Sequence, residues 1–70
     1  MALSPLSKLA FLVVDDNANM VQIVKTVLKS FGVVHIYDAH NVAEGLGVLK
    51  QFAIDIVMLD YNLGFMDGID

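Results

Sequence analysis

Two short apolar runs, each ending in carboxylates, constrain the fold of this chain more than any other feature. The first covers residues 9–14 and leads into Asp15 and Asp16, and the second covers residues 54–59 and leads into Asp60. Runs of this length and composition predict buried strands of a parallel sheet. Open α/β sheets bind ligands at the carboxyl ends of their strands, so the three carboxylates are candidates for one site. Carboxylates crowded at neighbouring strand ends, about 5 Å apart, require a cation or shifted pKa values.

Helical patterns separate the predicted strands. In the first helix, which begins near Asn17 and stops at Gly32, apolar residues recur every three or four positions. The predicted stripe consists of Met20, Ile23, Val24, Val27, Leu28 and Phe31. Asn41 is predicted to cap a second helix that ends near Gln51.

The resulting order is β-α-β-α-β, which predicts an α/β fold with helices on both faces of a parallel sheet. The predicted strands cover residues 8–14, 33–37 and 54–59, and residues 1–7 are expected to form a flexible lead-in. The second strand is the least apolar, so we place it at an edge. We expect one domain over residues 1–70.

The composition is unusually apolar for a small domain. The chain has 70 residues, of which 57% are hydrophobic, and its mean hydropathy is +0.69. A domain of this size cannot bury so much apolar surface alone, which favours oligomerisation. Its net charge of −4 and its scattered lysines argue against direct nucleic-acid binding. Without an apolar run of about 18 residues or a signal peptide, we expect a cytoplasmic protein that does not span a membrane.

Two glycines lie inside the second predicted helix. Gly45 and Gly47 each weaken a helix by roughly 1 kcal/mol relative to Ala. We expect a weakly stable surface helix here, in preference to close packing of another backbone against the glycines.

Residues 12–17 and 55–68 resemble the response-regulator receiver domain of two-component signalling. In that family an acidic pair follows the first strand, a phosphoacceptor aspartate ends the third strand, and a loop with Met-Asp-Gly comes next. The matching residues here are Asp15 and Asp16, Asp60, and residues 66–68. The resemblance implies a three-layer, flavodoxin-like fold reduced to β-α-β-α-β, the N-terminal half of a receiver, with strand order 2-1-3.

The resemblance also implies a chemistry for the acidic residues. Asp60 would take a phosphoryl group from a phosphohistidine on a sensor histidine kinase or phosphotransfer protein. A weakly bound Mg²⁺ or Mn²⁺ would be held by Asp15, Asp16, Asp60 and the backbone carbonyl of Asn62. The module would be a signalling protein and not an enzyme, beyond catalysing its own phosphorylation.

The chain departs from the family pattern in three respects. Gly64 stands where the family usually has a proline. The Ser or Thr that ends the fourth strand of a receiver, and the Lys that ends the fifth, have no counterpart: Thr26 is predicted to lie within a helix and no lysine ends a predicted strand. We therefore expect phosphorylation and switching to be impaired in this chain.

Two alternatives remain open from the sequence. The first is a dimeric interaction module or fold fragment that is not phosphorylated. The second is an aspartyl phosphatase of the haloacid-dehalogenase type, whose nucleophile lies in an Asp-x-Asp-x-Thr pattern. Residues 60–64 lack both the second acid and the Thr, and that family leaves Asp15 and Asp16 unexplained.

The third strand is interior in a complete receiver, and it would be an edge in this chain. An edge without Pro or Lys templates pairing with another strand. We therefore expect a homodimer in which the two third strands pair antiparallel into a six-stranded sheet. The predicted edge consists of Ile54, Ile56, Val57, Met58 and Leu59. A competing arrangement packs the uncovered helix faces together instead.

Overall fold

The computed structural model describes residues 5–59, which form three strands and two α-helices after a short 3₁₀ helix at Pro5–Lys8. The elements are β1 (Ala10–Val14), α1 (Ala18–Ser30), β2 (His35–Ala39), α2 (Val42–Gln51) and β3 (Ile56–Leu59). Asp60, Asn62 and the predicted loop at residues 61–68 lie outside the described residues.

The three strands form one parallel sheet in the order β2-β1-β3. This confirms the predicted strand order and places β1 in the centre. Leu12 of β1 aligns with Tyr37 of β2 on one side and with Val57 of β3 on the other. The central position explains why β1 is the most buried strand of the described residues.

Alternate residues of β1 point to opposite faces of the sheet, and one helix covers each face. Phe11 and Val13 pack with Leu28 of α1, whereas Leu12 and Val14 pack on the α2 side. The predicted three-layer arrangement is therefore confirmed.

The first strand begins two residues later than predicted. Residues 5–8 form the 3₁₀ helix, and the Leu9 amide donates to the Leu6 carbonyl over 3.1 Å. Leu6 and Leu9 both pack against the core on the α1 side. The lead-in predicted over residues 1–7 thus contains regular, packed structure from Pro5 onward.

The second strand begins and ends two residues later than predicted, because Gly32 and Val33 belong to the end of α1. Gly32 has a φ of 95°, and its amide donates to the Lys29 carbonyl, while the Val33 amide donates to the Leu28 carbonyl. This pair of bonds is the Schellman motif, in which glycine takes the left-handed position. Val33, predicted as a strand residue, is instead buried against Leu28. The predicted stop of α1 at Gly32 is confirmed.

The inward face of α1 is narrower than the predicted stripe. Val21, which was not part of that stripe, is buried together with Leu28, and Val24 packs against the same cluster. Ile23 and Phe31 remain 54% and 62% exposed. The predicted stripe is therefore only partly buried against the sheet.

Gly45 does not fit the expected weakly stable surface helix. It is buried, and a Cβ at this position would lie 3.2 Å from Val14 Cγ2, tighter than ordinary van der Waals contact. Gly47 meets nothing within 4 Å and fits the expected surface position. The close contact at Gly45 is made with a side chain and not with another backbone, and it holds α2 near the carboxyl end of β1.

The third strand is shorter than predicted at its beginning. Ile54 precedes the strand and is partly buried against the cluster on the α2 side. Asp55 then fixes the register: its amide donates to the Ala10 carbonyl, and its Oδ2 accepts from the Ala10 amide at 2.8 Å. The exposed edge therefore consists of residues 56–59, and Ile54 is removed from it.

The two α-helices are short. Among residues 5–59, neither is long and apolar enough to cross a membrane.

Candidate functional site

The carboxyl ends of β1 and β3 lie side by side. Val14 and Leu59 are aligned neighbours at the ends of these strands. Asp15 follows Val14, and Asp60 follows Leu59 along the chain. Neighbouring strands lie about 4.8 Å apart, so the described ends of β1 and β3 lie at the same edge of the sheet.

Asp15 is held firmly in the protein. Its side chain is buried, and its Oδ1 accepts a hydrogen bond of 2.9 Å from the Asn17 amide. Its own amide donates to the carbonyl of Ala39, which extends the pairing of β1 with β2 by one residue. Because both backbone and side chain are bonded, the position of this carboxylate is set before any ligand arrives.

Asp16 lies in a different environment. It is exposed to solvent, one residue beyond Asp15. Asn17 then caps α1, and its side-chain oxygen accepts from the amides of Asn19 and Met20. The acidic pair therefore immediately precedes a helix N-terminus, whose partial positive charge favours carboxylates.

The connection between β2 and α2 adds a group that the sequence analysis did not single out. Asn41 caps α2 as predicted, accepting from the Glu44 amide at 2.8 Å. The Glu44 carboxylate in turn accepts from the His40 amide at 2.9 Å and contacts His40 Nδ1 at 3.2 Å. An Asn followed three residues later by Glu is a capping pattern visible in the sequence.

The pKa of Glu44 lies below its ordinary value. The hydrogen bond from the His40 amide is the largest cause, followed by the contact with the His40 side chain. A carboxyl whose pKa is lowered on folding stabilises the folded state above its unfolded pKa. That contribution is lost as the pH falls through the lower, folded value. The cap is therefore charged and intact at neutral pH.

The donor chemistry of the acidic edge suits a hard divalent cation. Within residues 5–59, no three His, Cys, Asp or Glu side chains come together as a metal cluster. Asp15 and Asp16 supply two carboxylates, while the two remaining predicted ligands, Asp60 and Asn62, lie outside that range. Mg²⁺ and Mn²⁺ prefer such oxygen ligands and keep several waters, so the residues present fit the ion.

In the described part of the chain, no strand ends in a lysine or in a residue with a hydroxyl side chain. The lysines all lie in helices: Lys8 in the 3₁₀ helix, Lys25 and Lys29 in α1, and Lys50 in α2. The Thr26 hydroxyl donates to the Gln22 carbonyl within α1. Lys25 also forms an ion pair with Asp38 over 2.9 Å.

Comparison with protein families gives one match that covers most of the chain. Residues 11–70 match the response regulator receiver domain. The matched range includes Asp15 and Asp16, which follow β1, and the segment beyond Leu59.

Curated proteins of the same kind are also similar to this chain. It is 34% identical over 61 residues to the transcriptional regulatory protein YvrH of Bacillus subtilis (strain 168), covering 87% of this chain and 26% of that protein. It is 37% identical over 59 residues to the chemotaxis protein CheY-3 of Vibrio cholerae serotype O1, covering 84% of this chain and 45% of that protein. The chain thus spans less than half the length of these relatives. No solved structure gives a significant match.

Proposed function

Because this chain belongs to the response regulator receiver family, we propose that it is a phosphoacceptor module of a cytoplasmic two-component phosphorelay. Asp60 is the phosphoacceptor, and the donor is the phosphohistidine of a sensor histidine kinase or a phosphotransfer protein. The observation that carries the proposal is the alignment of Val14 with Leu59, the residues that directly precede the acidic pair and Asp60 in the sequence. The two named relatives are a transcriptional regulator and a chemotaxis protein, which supports a signalling role over an enzymatic one.

In the proposed reaction, a carboxylate oxygen of Asp60 attacks the phosphorus of the phosphohistidine. An O–P bond forms, the P–N bond breaks, and the imidazole leaves with the electron pair of that bond. Asp15 and Asp16 complete the acidic site, the first held by the amide of Asn17 and the second open to solvent. Together with Asp60 and the carbonyl of Asn62 they would hold Mg²⁺ or Mn²⁺, which supplies positive charge to the phosphoryl oxygens.

A second candidate function is an interaction module that binds a cation without being phosphorylated efficiently. It is favoured because Thr26 and all the lysines lie in helices, and no described strand ends in a lysine or a hydroxyl residue. The aspartyl phosphatase alternative has no comparable support, since the family match explains both acidic segments together.

We also propose that the 70-residue chain is a homodimer joined through β3. Ile56, Val57, Met58 and Leu59 are between 38% and 61% exposed. Within residues 5–59, β3 pairs with β1 alone, and its other edge carries no strand. The competing arrangement uses the apolar groove of about 130 Å³ between α2 and β3, lined by Leu46 and Leu49 among others.

A titration with Mn²⁺ tests the cation site. We expect weak binding to the wild type, reduced about tenfold or more in Asp16→Asn and Asp60→Asn because each loses a ligand charge. Asp55→Asn is the matched control: it removes the same charge at the amino edge, and its amide oxygen can still accept from the Ala10 amide. Equal Mn²⁺ affinities in all four proteins would refute the site. If Asp55→Asn lost as much affinity as the two site variants, the binding would reflect general charge attraction and not a specific site.

A further inference from the structure

One peptide unit, between Ala39 and His40, links the acidic site to the beginning of α2. Its carbonyl accepts from the Asp15 amide over 3.1 Å, at the point where the pairing of β1 with β2 ends. Its N–H, which belongs to His40, donates to Glu44 Oε1 over 2.9 Å. The carbonyl and the N–H of a trans peptide point in opposite directions. The unit therefore lies between the Asp15 backbone and the Glu44 carboxylate and is hydrogen-bonded to both.

The first turn of α2 holds the Glu44 carboxylate in place for this bond. The Glu44 amide donates to the Asn41 side chain over 2.8 Å, which fixes the residue through its own backbone. The bond from the His40 amide is the largest cause of the lowered Glu44 pKa. The carboxylate is therefore charged at neutral pH, and hydrogen bonds to a charged acceptor are stronger than neutral ones.

The residues beside this chain of hydrogen bonds are closely packed. Ale39 is buried, and so is Val14, which directly precedes Asp15. Gly45 directly follows Glu44, and a Cβ at Gly45 would lie 3.2 Å from Val14 Cγ2. The first turn of α2 and the carboxyl end of β1 are thus packed together, which fixes the distance that the peptide unit spans.

We infer that Glu44 is a positioning residue of the acidic site, which acts on Asp15 through the peptide unit between Ala39 and His40. The inference rests on the cation site proposed above and adds a residue that acts on it from two hydrogen bonds away. A charged acceptor polarises the peptide unit, and hydrogen bonds in such a chain strengthen one another. The Glu44 carboxylate thus strengthens the bond that holds the Asp15 backbone. Asp15 in turn presents a buried carboxylate, whose Oδ1 accepts from the Asn17 amide.

The amide signal of Asp15 in ¹H–¹⁵N spectra measures this effect in the absence of metal. Glu44→Ala removes the charged acceptor, so we expect the Asp15 amide proton to shift upfield and to exchange with solvent about threefold faster. The Asp55 amide is the internal control, because it donates to the Ala10 carbonyl at the opposite edge of the sheet. Its shift and exchange rate should not change, which separates a local effect from a general loss of stability.

A titration with Mn²⁺ measures the consequence for the acidic site. We expect Glu44→Ala to bind Mn²⁺ about threefold more weakly than the wild type, as for the loss of one hydrogen bond. Glu44→Gln should lie between the two, because its amide oxygen can still accept from the His40 amide. His40→Ala is the matched control: it removes the imidazole contact of 3.2 Å with Glu44 and keeps the backbone N–H. We expect this variant to retain the wild-type Mn²⁺ affinity and the wild-type exchange rate of the Asp15 amide.

An Asp15 amide that keeps its shift and exchange rate in Glu44→Ala would overturn the inference. Equal losses of Mn²⁺ affinity in Glu44→Ala and Glu44→Gln would also overturn it, because charge alone would then explain them. An equal loss in His40→Ala would overturn it by assigning the effect to the side-chain pair. Wild-type Mn²⁺ binding that Glu44→Ala leaves unchanged would overturn the positioning role alone, whereas a wild type that binds no Mn²⁺ would overturn the proposed cation site itself.

Discussion

Acetyl phosphate should phosphorylate Asp60 of this chain at least about a hundredfold more slowly than it phosphorylates a receiver that has the family's Lys and hydroxyl. The reason is electrostatic: removing one preorganised donor from a developing oxyanion costs about 10²–10³ in rate. Here no described strand ends in either such group, because Thr26 and all the lysines lie in helices.

Intact-mass spectrometry after incubation with Mg²⁺ and acetyl phosphate measures this rate. Asp60→Asn is the specificity control, since any adduct that persists in that variant lies on another residue. A stoichiometric adduct on Asp60 at the rate of a complete receiver would show that the carboxylates and the cation suffice, and that the missing side chains contribute little.

Leu12→Ala should cost about 2–5 kcal/mol of unfolding free energy, a large share of the stability of a small domain. Leu12 is 0% exposed, and it lies in the central strand between β2 and β3. Truncation leaves a cavity that the surrounding strands cannot close. Leu46→Ala removes the same atoms from a side chain that is 52% exposed, so we expect a change of about 0.5 kcal/mol.

Urea unfolding of the two variants at one protein concentration, followed by circular dichroism, measures the difference. Similar losses in Leu12→Ala and Leu46→Ala would mean that the groove beside α2 is covered in solution. That result would favour dimerisation through the helix faces over pairing of the β3 edges.

Local sequence patterns predicted the order of elements and the helix ends. Asn17, Gly32 and Asn41 each act through groups within a few residues, which is why their capping roles are visible in the sequence. The strand order came from the family resemblance, and the structure confirms it. The acidic pair could be placed at the carboxyl edge because it directly follows an apolar run.

Details that depend on contacts between elements were predicted less well. The packing of Gly45 on Val14 is set by how closely α2 approaches β1, which composition does not reveal. Val33 was assigned to β2, yet the backbone bond to Leu28 holds it at the end of α1. Ile54 was assigned to β3 by hydropathy, but the strand begins at Ile56. The preceding residue, Asp55, accepts a hydrogen bond from the Ala10 amide through its carboxylate.

The most direct test of the acidic site is paramagnetic broadening of backbone amide signals by Mn²⁺. The amides of Asp15 and Asp16 should broaden first. Those of Ala10 and Asp55, at the opposite edge of the sheet and about 16 Å from Asp15, should stay sharp. Broadening that is uniform, or strongest at Ala10 and Asp55, would contradict a cation site at the carboxyl edge and with it the proposed phosphoacceptor function.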